Sequence, residues 1–200
     1  TRVVTKAAPG LVLSVSSGIE SVGGDLAEGS LDFAIDIERG ITDEINATPL
    51  AMYTPSIWMR EGHPLATKDK MTLDEILTYS FVQYYLLISK RVSARNDARF
   101  DRALRGLGLK REKALVTNQL MTAMETVCDT DCLMVATQKD LVTEREMHRI
   151  VSKAFPEELP HDESINLVLL QHQRTAESPI HFWLREKIIE LVQEKDKVTS

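Results

Sequence analysis

The stretch LVLSVSSGIESVGGDLAEGSLDFAIDI, residues 11–37, decides the fold class. Residues 11–16 place alternate apolar side chains on one face, as a β-strand does, and residues 31–37 repeat that pattern. A short helix is predicted between them, ending at Gly29, whose missing Cβ permits the left-handed turn that follows many helices. A strand, a helix and a strand in this order form a parallel pair with a right-handed crossover. The stretch therefore predicts an α/β protein.

Strands and helices continue to alternate along the rest of the chain. Thr72 opens a helix with a capping box, because its hydroxyl can accept from a helix amide while Glu75 reaches back to the cap amide. Further strands are predicted at 81–86, 114–117, 132–136 and 165–170. One helix ends at Gly108 and carries Phe100, Ala103, Leu104 and Leu107 on its apolar face. A second has the face Leu120, Met121, Met124, Val127 and Cys128. The last helix is capped by Ser178 and has the face Ile180, Leu184, Ile188 and Leu191.

Composition and charge exclude several classes of protein. The 200 residues are 43% hydrophobic and 27% charged, as in an ordinary soluble globular protein. No apolar run approaches the roughly 20 residues of a membrane span, so no membrane partner is expected. The net charge of -6 argues against direct DNA binding by this fragment, because nucleic-acid binders carry a dense basic face.

The sequence shows no catalytic or metal-binding signature. Nucleophile elbows, phosphate-binding glycine loops and paired-histidine metal helices are absent, and the five histidines lack ligand spacing. We therefore predict no enzyme activity, no metal and no cofactor. Cys128 and Cys132 are expected to be small buried hydrophobes, with a disulfide or thiol switch left open.

Ligands of open α/β sheets bind beyond the carboxyl ends of the parallel strands, where helix amides suit anions. Each polar residue there could equally be a cap or turn residue, but their convergence favours a binding site. The predicted ligand-binding residues are Ser16, Ser17, Asp36, Tyr84, Asn118 and Gln119.

Four motifs, in order, resemble those of LysR-type transcriptional regulators. They are APGLVLSV near the start, LAEGSLDFAID at 26–36, WMREGHPLA at 58–66 followed by TLDEIL from Thr72, and SPIHFWLREKI at 178–188. The last is similar to the final helix of the NodD/NahR-like branch. The resemblance covers essentially the whole chain.

The resemblance implies a type 2 periplasmic-binding-protein-like fold, with two Rossmann-like lobes joined by two crossover segments and an effector held between them. On that template residues 1–60 and 166–200 form regulatory lobe I, and residues 61–165 form lobe II. It also implies a cytoplasmic homodimer or homotetramer that senses a small aromatic or carboxylate metabolite. DNA is then contacted only through an N-terminal winged helix-turn-helix, which this chain lacks.

One departure from the family and one alternative function remain. The family places a strand and most of a helix before the APG element, so lobe I is expected to lack its first strand and to expose a sheet edge. The alternative is a solute-binding protein of a transporter, a class that shares the fold.

Overall fold

The computed structural model describes residues 2–16, 21–38, 42–84, 99–137, 149–159 and 165–198. The chain forms two compact units, one of Thr1–Met52 with Ile165–Ser200 and one of Tyr53–Ser164. The boundary thus falls at residues 52 and 53 instead of the predicted 60 and 61. The reason is that the strand at 55–60 pairs within the sheet of the second unit.

Helices and strands follow one another along the chain with the bounds below. They are α1 Arg2–Ala7, α2 Val22–Glu28, β1 Ala34–Ile37, β2 Ile45–Tyr53, β3 Pro55–Arg60, α3 Leu73–Leu77, β4 Phe81–Tyr84, α4 Arg99–Gly106, β5 Lys113–Thr117, α5 Leu120–Asp129, β6 Leu133–Thr137, β7 Ile150–Ala154, β8 Ile165–His172 and α6 Pro179–Val198.

The second unit is built on a five-stranded sheet in the order β5-β4-β6-β3-β7. Strand β4 is parallel to both β5 and β6, whereas β3 pairs antiparallel with β6 and β7. The chain passes from β5 to β6 through α5, as strands that run in the same direction require a crossover. The predicted strand at 81–86 is described as far as Tyr84, and its last two residues lie outside the described ranges.

Alternate side chains of this sheet enter two separate cores. Ile57 and Met59 pack with α3 and α4, whereas Trp58 between them packs with α5. Leu133 and Met134 divide in the same way on β6. Both faces of the sheet are therefore covered, which explains why β3 has no polar alternation.

The local helix signals of the second unit are confirmed. Thr72 Oγ1 accepts from the Glu75 amide at 3.3 Å, and the Thr72 amide donates to Glu75 Oε2 at 2.9 Å. Met71 and Ile76, on either side of this capping box, are buried in one core. They stand where a hydrophobic staple fixes the entry of the chain into the helix.

The first unit has a three-stranded sheet in the order β1-β8-β2, with β1 antiparallel to β8. Leu26 of α2 packs against Val168 and Leu170 of β8. Helix α2 ends as predicted, since Gly29 has a left-handed backbone with φ of 89° and its amide bonds to the Asp25 carbonyl.

The predicted strand at residues 11–16 is wrong. This segment has no regular secondary structure, and Val12 is 92% exposed. The alternation of apolar side chains specifies only which of them would share a face. A strand also needs a neighbouring backbone to pair with, and the described sheet of this unit contains only β1, β8 and β2. The predicted parallel pair with residues 31–37 is therefore also wrong, and β1 begins later, at Ala34.

Three residues predicted on apolar helix faces are exposed, and three strands were not predicted. Leu107, just beyond the end of α4, is 50% exposed. Met121 is 51% exposed because the buried stripe of α5 is centred on Ala123, Met124 and Val127. Ile180, in the first turn of α6, is 52% exposed. Strands β2, β3 and β7 lack the period-two pattern by which a half-buried strand is recognised.

Candidate functional site

Three of the predicted ligand-binding residues lie at one edge of the second unit. Tyr84 ends β4 and pairs with Thr117, the last residue of the parallel strand β5. Asn118 and Gln119 follow directly and lead into α5. The carboxyl ends of two parallel strands and the amino end of a ten-residue helix therefore meet at this edge, which we call the carboxyl edge.

Local hydrogen bonds engage some of these groups and leave others available. Thr117 Oγ1 accepts from the Gln119 amide at 3.0 Å, and Gln119 Oε1 accepts from Thr122 Oγ1 at 3.3 Å. Gln119 is the N-cap of α5 but makes no side-chain capping bond. Asn118 is exposed. The first turn of α5 thus presents amides without a side-chain cap, an environment that favours anions.

Tyr84 adds a neutral hydrogen-bonding group to the carboxyl edge. Its side chain is half-buried and packs against the α5 side of the sheet. Burial raises the pKa of the phenol, so the hydroxyl stays protonated at neutral pH. It can therefore donate to a carboxylate without repelling it.

The first unit does not bring its predicted residues to parallel strand ends. Asp36 lies on β1, half-buried, and its Oδ1 accepts from the Ile37 amide at 2.7 Å. Ser16 is exposed on the segment that joins no strand. Ser17 lies outside the described residues. The prediction for this unit depended on a parallel pair that the described strands do not form.

The opposite, amino edge of the second unit's sheet contains a polar depression that sequence analysis missed. It has a volume of about 390 Å³ and is lined by Arg60, Cys128, Asp129, Thr130, Asp131 and Arg149. Arg60 bonds to Asp131 through Nε at 2.9 Å and Nη2 at 2.6 Å, and Arg149 bonds to Asp129 at 2.6 Å. Each arginine thus has an aspartate partner, and the depression presents little net charge.

The histidine of the REGHPLA motif lies beside this depression in a structural role. His63 is buried, and its Nδ1 accepts from the Leu65 amide at 3.0 Å, so Nε2 carries the proton and donates to the Asp131 carbonyl at 3.2 Å. The ring packs on Tyr79 with centroids 4.4 Å apart. Burial lowers the pKa of His63, despite the opposing effect of the Asp131 bond.

Both cysteines are free and half-buried, and they pack against the core on the α5 side. Burial raises the pKa of the Cys128 thiol. A thiol with a raised pKa is a poor nucleophile at neutral pH. The environment therefore agrees with a packing role more than with a reactive one.

A serine, a histidine and an aspartate line up at the start of α6. Ser178 Oγ lies 2.8 Å from His181 Nδ1, and His181 Nε2 lies 3.0 Å from Asp32 Oδ1. A hydrolytic triad has these residues but with Nε2 facing the serine. In this chain the three-residue spacing is that of a capping pair, and the Ser178 carbonyl accepts from the Phe182 amide, as an N-cap does. The arrangement therefore closes the first turn of α6 and ties it to residue 32.

Among the described residues, no group of three or more histidine, cysteine or acidic side chains could hold a metal ion. Within the same ranges, no helix combines the length and apolar character of a membrane span.

Solved structures show the same fold in regulatory proteins. The regulatory domain of MexT from Pseudomonas aeruginosa is 18% identical over 94% of this chain and 89% of its own, with a TM-score of 0.72. The regulatory domain of Synechocystis CcmR is 14% identical over 96% and 88%, also with a TM-score of 0.72. HinK, a LysR family regulator from Pseudomonas aeruginosa, is 17% identical over 96% and 63%, with a TM-score of 0.70.

Some structural neighbours are considerably longer than this chain. This chain spans 59% and 64% of the length of two further Pseudomonas aeruginosa proteins. No curated protein matches the sequence.

The family match is more specific than these structural similarities. The LysR substrate binding domain matches residues 2–190, almost the full length of the chain. This match, with the structural neighbours, confirms the predicted type 2 periplasmic-binding-protein-like α/β fold. The chain belongs to the LysR substrate binding domain family.

Proposed function

We propose that this chain is the ligand-sensing domain of a LysR-type transcriptional regulator. The observation that carries the proposal is the family match over residues 2–190. It favours a regulator over the transporter component that shares the fold. An effector that binds one conformation of the domain better than another shifts the equilibrium towards that conformation. This shift is the signal.

The chemistry of the carboxyl edge supports a carboxylate-bearing effector. The Tyr84 hydroxyl, the exposed Asn118 amide and the uncapped first turn of α5 all offer hydrogen-bond donors. Among the neighbours, the effector binding domain of QuiR was solved with shikimate and the regulatory domain of CcmR with 2-PG. We propose a small aromatic or hydroxylated carboxylate for this chain.

Calorimetric titration of the purified chain with salicylate, benzoate and shikimate tests this proposal. We expect saturable binding of at least one acid, and about fivefold weaker binding by Tyr84→Phe, since one hydrogen bond contributes about 1 kcal/mol. Glu157→Gln is the matched control, because its exposed pair with Lys70 lies outside the carboxyl edge. Failure of the wild-type chain to bind any of these acids at millimolar concentration would count against the proposal.

Turnover distinguishes a sensor from an enzyme on the same scaffold. We propose that the ligand is bound without being converted, and chromatography of the titrated ligand should recover it unchanged. Product formation that increases with time and is lost in Tyr84→Phe would contradict this.

The complete regulator is proposed to be a cytoplasmic homo-oligomer that contacts DNA through a separate winged helix-turn-helix. The fraction of relatives' length that the chain spans, 59% and 64% in two cases, supports further domains in such proteins. In a gel-shift experiment, we expect the full-length protein to retard DNA and this chain alone not to retard it.

A further inference from the structure

Gln83 on β4 is a buried amide without a partner. The residue is 3% exposed, and among the described residues neither its Nε2 nor its Oε1 has a hydrogen-bond partner. Gln171, also buried, differs because its Nε2 donates to the carbonyl and the hydroxyl of Thr175, each at 3.1 Å. Buried side-chain amides are nearly always paired, so an amide with both ends unpaired calls for an explanation.

Apolar side chains and a buried ion pair surround this part of β4, since the Arg111 guanidinium, paired with Asp101, lies 5.0 Å from the centroid of the Phe81 ring. Phe81 contacts the core on the α3 and α4 side, and Val82 and Tyr84 contact the α5 side. Since strand side chains alternate, Gln83 faces the same side as Phe81. Its partner in the parallel register on β5 is Val116. An apolar side chain of similar shape would therefore suit this position better than an amide.

The position of Gln83 points to a ligand. It precedes Tyr84 at the carboxyl edge, where the candidate effector site lies, and its side chain faces the side of the sheet opposite to Tyr84. An amide offers a donor and an acceptor side by side, and a carboxylate can satisfy only the donor. A hydroxyl next to a carboxylate satisfies both, because the hydroxyl donates to Oε1 while the carboxylate accepts from Nε2.

We propose that Gln83 is a specificity-determining residue of the effector site, selecting ligands that carry a hydroxyl beside a carboxylate. This inference rests on the proposed function. Since the amide is buried, a ligand reaches it only when neighbouring side chains at the edge move aside. Binding then satisfies two polar groups that have no hydrogen-bond partner among the described residues of the free protein, which favours the ligand-bound conformation.

Thermal unfolding of the ligand-free chain is the first test. Gln83→Met keeps the length and flexibility of the side chain and removes the unpaired amide, so we expect the Tm to rise by about 2–4 °C. Gln171→Met is the matched control, and its lost bonds to Thr175 should lower the Tm by about 4–8 °C. If Gln83→Met instead lowers the Tm as the control does, the residue is structural and the inference is overturned.

Matched ligand pairs are the second test. Salicylate differs from benzoate by one hydroxyl beside the carboxylate, and shikimate differs from cyclohex-1-ene-1-carboxylate by its hydroxyls. We expect the wild-type chain to bind the hydroxylated member of at least one pair about 10–100 times more tightly, as measured by calorimetry. In Gln83→Met that preference should disappear, so that the two members of each pair bind with similar affinity.

The outcomes separate the inference from the proposed function. If the wild-type chain binds these acids but shows no hydroxyl preference, or if the preference persists in Gln83→Met, the inference falls and the proposed function stands. If the wild-type chain binds none of the four acids, both fall together. A lost preference together with a raised Tm supports the inference.

Discussion

Replacing His63 should reveal how much this histidine of the WMREGHPLA motif contributes to the free energy of unfolding. His63→Ala removes a hydrogen bond to the Leu65 amide, a bond to the Asp131 carbonyl and a ring contact with Tyr79 at 4.4 Å. Each bond contributes about 1 kcal/mol, and the ring contact adds about 0.5–1.5 kcal/mol. With the cavity left behind, the free energy of unfolding should fall by about 3–4 kcal/mol.

The pH dependence of stability follows from the lowered pKa of His63. Its ordinary value is 6.5, and burial holds the folded-state pKa below that. Below pH 6.5 the unfolded chain therefore binds a proton that the folded protein resists. The stability contribution of His63 is complete above pH 6.5 and is lost as pH falls through the lower folded-state pKa. His63→Asn keeps an acceptor for the Leu65 amide but cannot titrate, so it should lose less stability between pH 7.5 and 5.5.

Urea unfolding followed by tryptophan fluorescence measures both effects. The chain has two tryptophans, and Trp58 is buried in the unit that contains His63. A Trp183→Phe background makes Trp58 the sole reporter of that unit. Equal pH slopes for the histidine and asparagine proteins, or a loss of less than 1 kcal/mol in His63→Ala, would refute this reasoning.

Three further substitutions test other parts of the structure. Burial by itself would raise the pKa of Asp101, but its bonds to the buried Arg111 and to Lys113 lower that pKa. Asp101→Asn should therefore lower the free energy of unfolding at pH 7 by about 3 kcal/mol, as measured by denaturant titration. The exposed Glu157→Gln is the control and should leave the midpoint unchanged. Ser178→Ala should destabilise the chain by about 1 kcal/mol, because it removes the hydrogen bond between Ser178 Oγ and His181 Nδ1. Ester hydrolysis that depended on Ser178 would instead indicate a catalytic role. Gly29→Ala should lower the free energy of unfolding by more than about 1 kcal/mol, because φ is 89° and the added Cβ would lie 2.9 Å from the Arg174 side chain. Gly106→Ala is the control, because nothing lies within 4 Å of its added Cβ. Circular dichroism melts should show the control to be as stable as the wild-type chain or more stable.

The sequence prediction agrees with the position of parallel strand ends only in the second unit. Tyr84 ends β4, and Asn118 and Gln119 follow its parallel neighbour β5, so the rule that ligands bind beyond carboxyl ends applies to them. Ser16 was assigned by the same rule, but its segment joins no described sheet. Gln83 could not be found from sequence, because a glutamine inside a strand pattern does not show whether its amide has a partner.

The sequence by itself determined the features that depend on near neighbours along the chain. The capping box of Thr72 and Glu75 and the left-handed turn at Gly29 involve groups at most four residues apart, so their residue types specify them. The ordered motifs likewise predicted the family.

Only the tertiary structure decided which distant segments meet. Strand β3 lies between β6 and β7. Arg60 forms a hydrogen bond with Asp131, which is 71 residues away in the sequence. The same packing decides that Ala123 of α5 is buried while Met121 is exposed. The physical reason is that an apolar pattern specifies that a face is buried, whereas the choice of partner depends on the shapes and backbone hydrogen bonds of segments far apart in the chain.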